Sequence, residues 1–173
     1  MKKLDNYILG QWVVADGDGQ ALYNAVNGAY IANASTQELP YKNILQYGRT
    51  KGGQALRKMT FQQRGLMLKA LALHLTQKKE LFYTVSFQTG ATRSDSWIDI
   101  EGGIGNLFSY ASLRRKLPNL PYCTDGEAVN LSKDGSFIGH HILVPKLGIA
   151  VHINAFNFPI WGMLEKIAVN LLA

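Results

Sequence analysis

Asn157 is the polar side chain whose surroundings best suit it to chemistry. It stands in Ala155-Phe156-Asn157-Phe158-Pro159, after a short apolar, β-branched segment running from Ile149 to Ile153. Behind it Ile160, Met163, Leu164, Ile167, Ala168 and Leu171 recur at helical spacing. The pattern predicts a buried strand, a tight turn and a helix. Pro159 biases Phe158 away from helical angles and itself suits a first helical turn. Asn157 is thereby placed at the carboxyl end of the strand, where ligands collect in open α/β sheets. A neutral amide there can donate a hydrogen bond to developing negative charge without itself titrating. Asparagine also caps helices well, so these residues alone leave donor and cap both open.

Other groups with chemical potential carry less. His140-His141 falls in a segment that reads as a strand, where neighbouring side chains point to opposite faces, so no metal site is expected. The loop Asp16-Gly17-Asp18-Gly19 is too short for a calcium loop and lacks its terminal glutamate. Gly102-Gly103-Ile104-Gly105 looks like a phosphate loop, but no strand precedes it, and close helix packing explains it better. The single cysteine, Cys123, cannot form an internal disulfide, which fits a reducing, cytoplasmic compartment. It falls in a proline-rich connector and is expected to be an inert thiol.

The elements that must position the turn follow from the rest of the pattern. Tyr7 to Val14 reads as a strand pair around Gly10, and Ala21 to Ala34 as a hairpin centred on Asn27-Gly28. Residues 41 to 58 hint at a helix interrupted near Gly52-Gly53. Thr60 and Gln63 form a capping box for a long helix that Thr89-Gly90 ends. Its apolar face is predicted to be Met67, Leu68, Leu71, Leu75, Phe82 and Val85, with His74 packed or on the surface. A second helix spans about Ser94 to Lys116. Strands Ala128 to Leu131 and Phe137 to Val144 then flank a Lys133-Asp134-Gly135 turn. Three stretches result: 1–122 with hairpins and helices, 123–146 with the strand hairpin, and 147–173 with the strand-turn-helix unit.

Composition bounds the class. The 47% hydrophobic and 17% charged fractions are those of a soluble globular chain. The net charge of +6 is scattered, with no basic-aromatic stripe, so neither nucleic acid nor membrane is an expected partner. No apolar run follows Lys2-Lys3, which argues against a signal peptide. The chain stops at Asn170-Leu171-Leu172-Ala173, inside an apolar helix without a glycine or basic cap, so truncation is expected.

The run from Gly148 to Lys166 resembles the first cofactor-domain strand, Asn-Phe-Pro turn and helix of the aldehyde dehydrogenase superfamily. Tyr7 to Trp12, Asn24 to Ala32, and the Thr60 to Gly90 helix match that family in order and spacing. Together they cover essentially the whole chain, as the first third of a longer protein. The resemblance implies an α/β fold: the N-terminal β-hairpins, two long helices, oligomerisation strands and the start of a Rossmann-like cofactor domain. Gln88 to Trp97, Asp99 to Gly105 and His152 to Lys166 are similar to the branch of the family that opens rings in phenylacetate catabolism. That branch joins an NADP-dependent semialdehyde dehydrogenase to an oxepin-CoA hydrolase domain of hydratase type. Dehydrogenases of CoA-linked semialdehydes from benzoyl-CoA breakdown share the Asn-Ala-Phe-Asn-Phe-Pro variant. Most of the superfamily has Pro-Trp where this chain has Ala155-Phe156.

By that resemblance a thiolate attacks an aldehyde, hydride passes to NADP or NAD, and the thioester is hydrolysed. Asn157 would supply one donor to the tetrahedral oxyanion, and Lys166 would stand near the catalytic water and general base. Lys166 is otherwise a surface lysine, and Glu165 is expected to face solvent. Ile153, Asn154, Ala155, Phe156 and Asn157 would border the cofactor, Asn154 and Phe156 through their backbone unless they are simple turn packing. The family's nucleophilic cysteine, general-base glutamate and ribose-binding lysine lie further along than Ala173, so the 173 residues are expected to be inactive alone. The competing reading is a non-enzymatic fragment that self-associates through its exposed strands.

Overall fold

The structure is a computed structural model and describes residues 2–173. Local turn chemistry builds the N-terminal part. Strands β1 (Asn6–Ile8) and β2 (Gln11–Val13) are antiparallel, joined by Leu9 and Gly10 at φ 54° and 86°. Two left-handed residues make the tight turn that matches strand twist. Tyr7 pairs with Trp12 across it, their rings edge to face at 5.1 Å. Strands β3 (Gln20–Tyr23) and β4 (Tyr30–Ala34) form the second predicted hairpin. The side chains of Asn24 and Asn27 accept from the amides of Val26 and Ala29, so both asparagines tighten the connecting loop.

The expected break near Gly52-Gly53 is not a break. Helix α1 (Tyr41–Tyr47) runs through a widened π turn, Gly48–Gly52, into α2 (Gly53–Lys58). The capping box forms as predicted: Thr60 Oγ1 accepts from the Gln63 amide, and Gln63 Oε1 accepts from the Thr60 amide at 2.9 Å. Helix α3 (Phe61–Gln88) follows, and Gly90 at φ 88° turns the chain away. Thr60→Ala should cost about 1 kcal/mol of stability by chemical denaturation. A loss under about 0.3 kcal/mol would mean that tertiary contacts hold this helix start without the cap.

The expected face of α3 is the buried one over most of its length, with Leu68 in the core and Leu71, Leu75 and Phe82 packed against it, and Val85 is the departure. Phe61, Arg64, Gly65, Leu68, Ala72, Tyr83 and Ser86 are buried, whereas Val85 is 54% exposed. Apolar residues also continue round the helix, and packing decides where the buried face ends. Helix α4 (Arg93–Trp97), a π turn at Ile98–Gly102 and α5 (Gly103–Leu113) make one continuous helical rod across α3. A final helix, α6 (Pro159–Leu172), packs against both α5 and α3. Leu68, Ala72, Ile100, Ile104, Leu107, Ala111, Leu164, Ala168 and Leu172 form the core between them. The fully buried Arg64 ties α3 to the end of α6: its Nη1 donates to the Ala173 carbonyl at 3.0 Å, and its guanidinium lies 4.5 Å from the Phe61 ring centre.

Strand β5 (Cys123–Asn130) starts earlier than expected and pairs with β6 (Ile138–Leu143) in a third two-stranded sheet. Cys123 is therefore a half-buried strand residue opposite Leu143, not part of a connector. At the turn, the Ser136 and Ser132 hydroxyls and the Ser136 amide hold the Asp134 carboxyl down to about 2. A depressed carboxyl adds stability above its unfolded range and loses it as pH falls toward 2. This turn should therefore loosen only in strong acid, visible as an NMR titration of Asp134 with a midpoint near 2.

The predicted strand from Ile149 to Ile153 does not form. These residues are irregular, with Val151 76% and Ile153 85% exposed. A parallel strand needs neighbours on both edges and helices on both faces. Among the described residues the strands make three separate hairpins, none of which borders this segment.

Candidate active-site turn

Asn157 lies in the expected turn directly before α6, but not at the end of a strand, because Ile149 to Ile153 forms none. Phe158 adopts φ −136° and ψ 61°, outside the helical region that a following proline disfavours, and Pro159 opens the helix. Asn157 is exposed, and α6 begins without a side-chain cap from its N-cap residue, Phe158. The capping alternative for Asn157 is thus not realised, and its amide is left without an intramolecular partner among the described residues.

The cap comes from elsewhere. Asp99, on the π turn before α5, accepts from the Trp161 amide through Oδ1 at 2.7 Å and from the Ile160 amide through Oδ2 at 3.4 Å. It is 2% exposed. Burial pushes its carboxyl above the usual carboxylate range, and the two amides pull it back. Sequence reasoning missed this residue. The available signal was a lone carboxylate between Ile98 and Ile100, on a helix segment otherwise rich in core side chains. Gly102-Gly103 does serve close packing, as expected. A Cβ on Gly102 would overlap the Trp161 ring, and one on Gly103 would lie 3.0 Å from Trp161 Cα.

Lys166 is half-buried one turn further along. Its Nζ donates to the Gly162 carbonyl at 2.8 Å and to Asn154 Oδ1 at 3.3 Å. The structure therefore brings Lys166 and Asn154 together, through the Asn154 side chain rather than its backbone. Lys166 also lines an open groove of about 560 Å³ with Asn106, Tyr110, His152, Glu165 and Val169. Asn157 lies outside that groove. Glu165 is exposed, as expected, and accepts from the Trp161 indole at 2.8 Å.

Ile153, Asn154, Ala155 and Phe156 precede the turn as exposed, irregular chain, with Phe156 81% exposed. Their peptide groups are engaged in no hydrogen bond within the described chain, so they fit one edge of a nicotinamide nucleotide bound through main-chain atoms. Cys123 lines a different groove of about 740 Å³ with Phe61, Arg64, Leu117 and Leu143, and this groove does not include Asn157. His140 is likewise engaged elsewhere, its Nε2 bonding the Gly126 carbonyl across the β5–β6 hairpin.

The turn thus presents a free, neutral amide donor at the positive end of a 14-residue helix. Such a donor can stabilise an oxyanion.

Residues 12–173 match the profile of the aldehyde dehydrogenase family. The chain is also 39% identical, over 172 residues, to the 3,4-dehydroadipyl-CoA semialdehyde dehydrogenase of Aromatoleum evansii. That alignment covers 99% of this chain and 33% of the relative, so the chain spans about a third of the relative's length. Among the described residues, no helix is long and apolar enough to cross a membrane.

Proposed function

The chain belongs to the aldehyde dehydrogenase family, and from that premise we propose that it is the N-terminal part of a dehydrogenase that oxidises a CoA-linked semialdehyde to the acid. The carrying observation is Asn157, an uncommitted amide donor held before α6. The relative's activity on a CoA-linked semialdehyde supports the substrate class. A role in phenylacetate catabolism, and a ring-hydrolysing hydratase domain in the complete protein, rest on the resemblance of the segments Gln88 to Trp97 and Asp99 to Gly105.

In this reading the Asn157 amide donates to the oxyanion that develops on the aldehyde carbon when a nucleophile adds. Ile153 to Phe156 would hold the nicotinamide end of NADP or NAD through their backbone, and that cofactor supplies the hydride acceptor. Lys166 holds the Asn154 side chain on the helix side of the turn and keeps a positive charge beside the site. The nucleophile and general base come from residues beyond these 173, because Cys123, the sole cysteine, lies in β5. In this reading the protein works in the cytoplasm, with neither nucleic acid nor membrane as a partner.

The test is an assay of the complete reading frame that contains this chain. A CoA-linked semialdehyde should drive NADP or NAD reduction with a higher kcat/KM than the free semialdehyde, and residues 1–173 alone should give none. Equal turnover of both aldehydes would remove the CoA assignment, and turnover by the 173 residues would refute the inactive-fragment reading.

A second reading draws on the β5–β6 hairpin, where Val129, Phe137, Ile138, Ile142 and Val144 are all exposed and each strand has one unpaired edge. It makes the hairpin a self-association surface and the protein a homo-oligomer. Sedimentation of a clean monomer at high concentration would count decisively against it.

A further inference from the structure

We infer that Asp99 is a positioning residue for the Asn157 donor, an inference that rests on the oxyanion reading of Asn157. Three independent features of the structure converge on it. The first is the pair of hydrogen bonds, from the Trp161 amide at 2.7 Å and the Ile160 amide at 3.4 Å, onto one carboxylate. These are two of the amides that a helix start leaves unsatisfied, and Pro159 has none to offer. The second is the π turn at Ile98–Gly102. Its extra residue lets Asp99 and Ile100, neighbours in sequence, both point inward at 2% and 0% exposure. The third is the backbone contact made possible by Gly102 and Gly103, which seats the first turn of α6 directly on the rod carrying Asp99.

Asn157 stands only three residues before Ile160, and the link between them contains a proline with its fixed φ. The chain from clamp to donor is therefore short and stiff. Without the carboxylate, the first turn of α6 keeps its apolar contacts but loses what fixes its amides, and Asn157 shifts with them. A displacement of about 1 Å at a reacting centre can cost up to ~10²-fold in rate.

The test uses the complete dehydrogenase with Asp99→Asn, which keeps one acceptor oxygen, and Asp99→Leu, which keeps only the volume. We expect kcat to fall about tenfold or more for the leucine variant and less for the asparagine variant, with KM for aldehyde and cofactor within about threefold. Amide exchange should quicken at Ile160 and Trp161 while α3 keeps its protection. On an Asn157→Ala background Asp99→Leu should add no further loss, because its effect passes through the missing amide. A full additional loss on that background, or unchanged exchange at Ile160 and Trp161, would overturn the inference. If the leucine variant does not fold, the asparagine variant carries the same comparisons. Undiminished kcat in Asn157→Ala alone would defeat the oxyanion reading and the catalytic role of Asp99 together, while the exchange arm would still report the clamp without turnover.

Discussion

Asn157→Ala in the complete enzyme should lower kcat by about 10²–10³-fold, or about 3–4 kcal/mol of transition-state stabilisation. The expected size follows from the donor's circumstances. It is neutral, so it stabilises an oxyanion most as charge develops and gives the uncharged ground-state carbonyl less. It stands at the start of α6, where the helix dipole adds a positive field. Because the amide does not titrate, the loss should be the same across the working pH range. Stability should change by less than about 0.5 kcal/mol, because Asn157 is exposed and caps nothing. That separates a catalytic loss from a folding loss. The measurement is steady-state kcat beside a denaturant midpoint, and a variant within about threefold of the parent would rule out the donor role.

Leu107→Ala should be the most damaging of the simple core truncations, at about 3 kcal/mol within a usual range of about 2–5. Leu107 is fully buried on α5, which packs against both α3 and α6, so the cavity would open where both other long helices depend on it. At roughly 2–4 °C per kcal/mol for a chain of this size, Tm should drop by roughly 10 °C. Val85→Ala is the informative companion. Helical spacing puts Val85 on the apolar face of α3, but it is 54% exposed, and its loss should cost under about 0.5 kcal/mol. A Val85 variant as damaging as the Leu107 variant would mean that the buried face extends to Val85 as its spacing suggests.

These two residues mark how far the sequence alone could be read. It determined whatever is settled within a few residues along the chain. The two hairpins, the Thr60 capping box, the glycine stop at Gly90 and the Pro159 start of α6 all lie where local rules put them, because turn angles and caps span only three or four positions. The Asn157 turn belongs to the same class, since proline sets it. The glycine pair at Gly102 and Gly103 was legible as a packing site, although its partner, Trp161, was not.

Tertiary structure decided the rest. How far the buried face of α3 extends depends on α5 and α6, which arrive up to a hundred residues later: Leu68, Leu71, Leu75 and Phe82 meet the core as their spacing predicts, and Val85 does not. Cys123 joined a strand because Leu143 stood opposite to receive it. Ile149 to Ile153 has strand chemistry but no strand beside it, and a backbone that cannot pair stays with water. Asp99 is the clearest case. In sequence it is one acidic residue in a helix, 58 positions from Asn157. Only the fold brings it beneath the amides of Ile160 and Trp161, because a buried carboxylate persists where donors meet it and not where sequence distance is short.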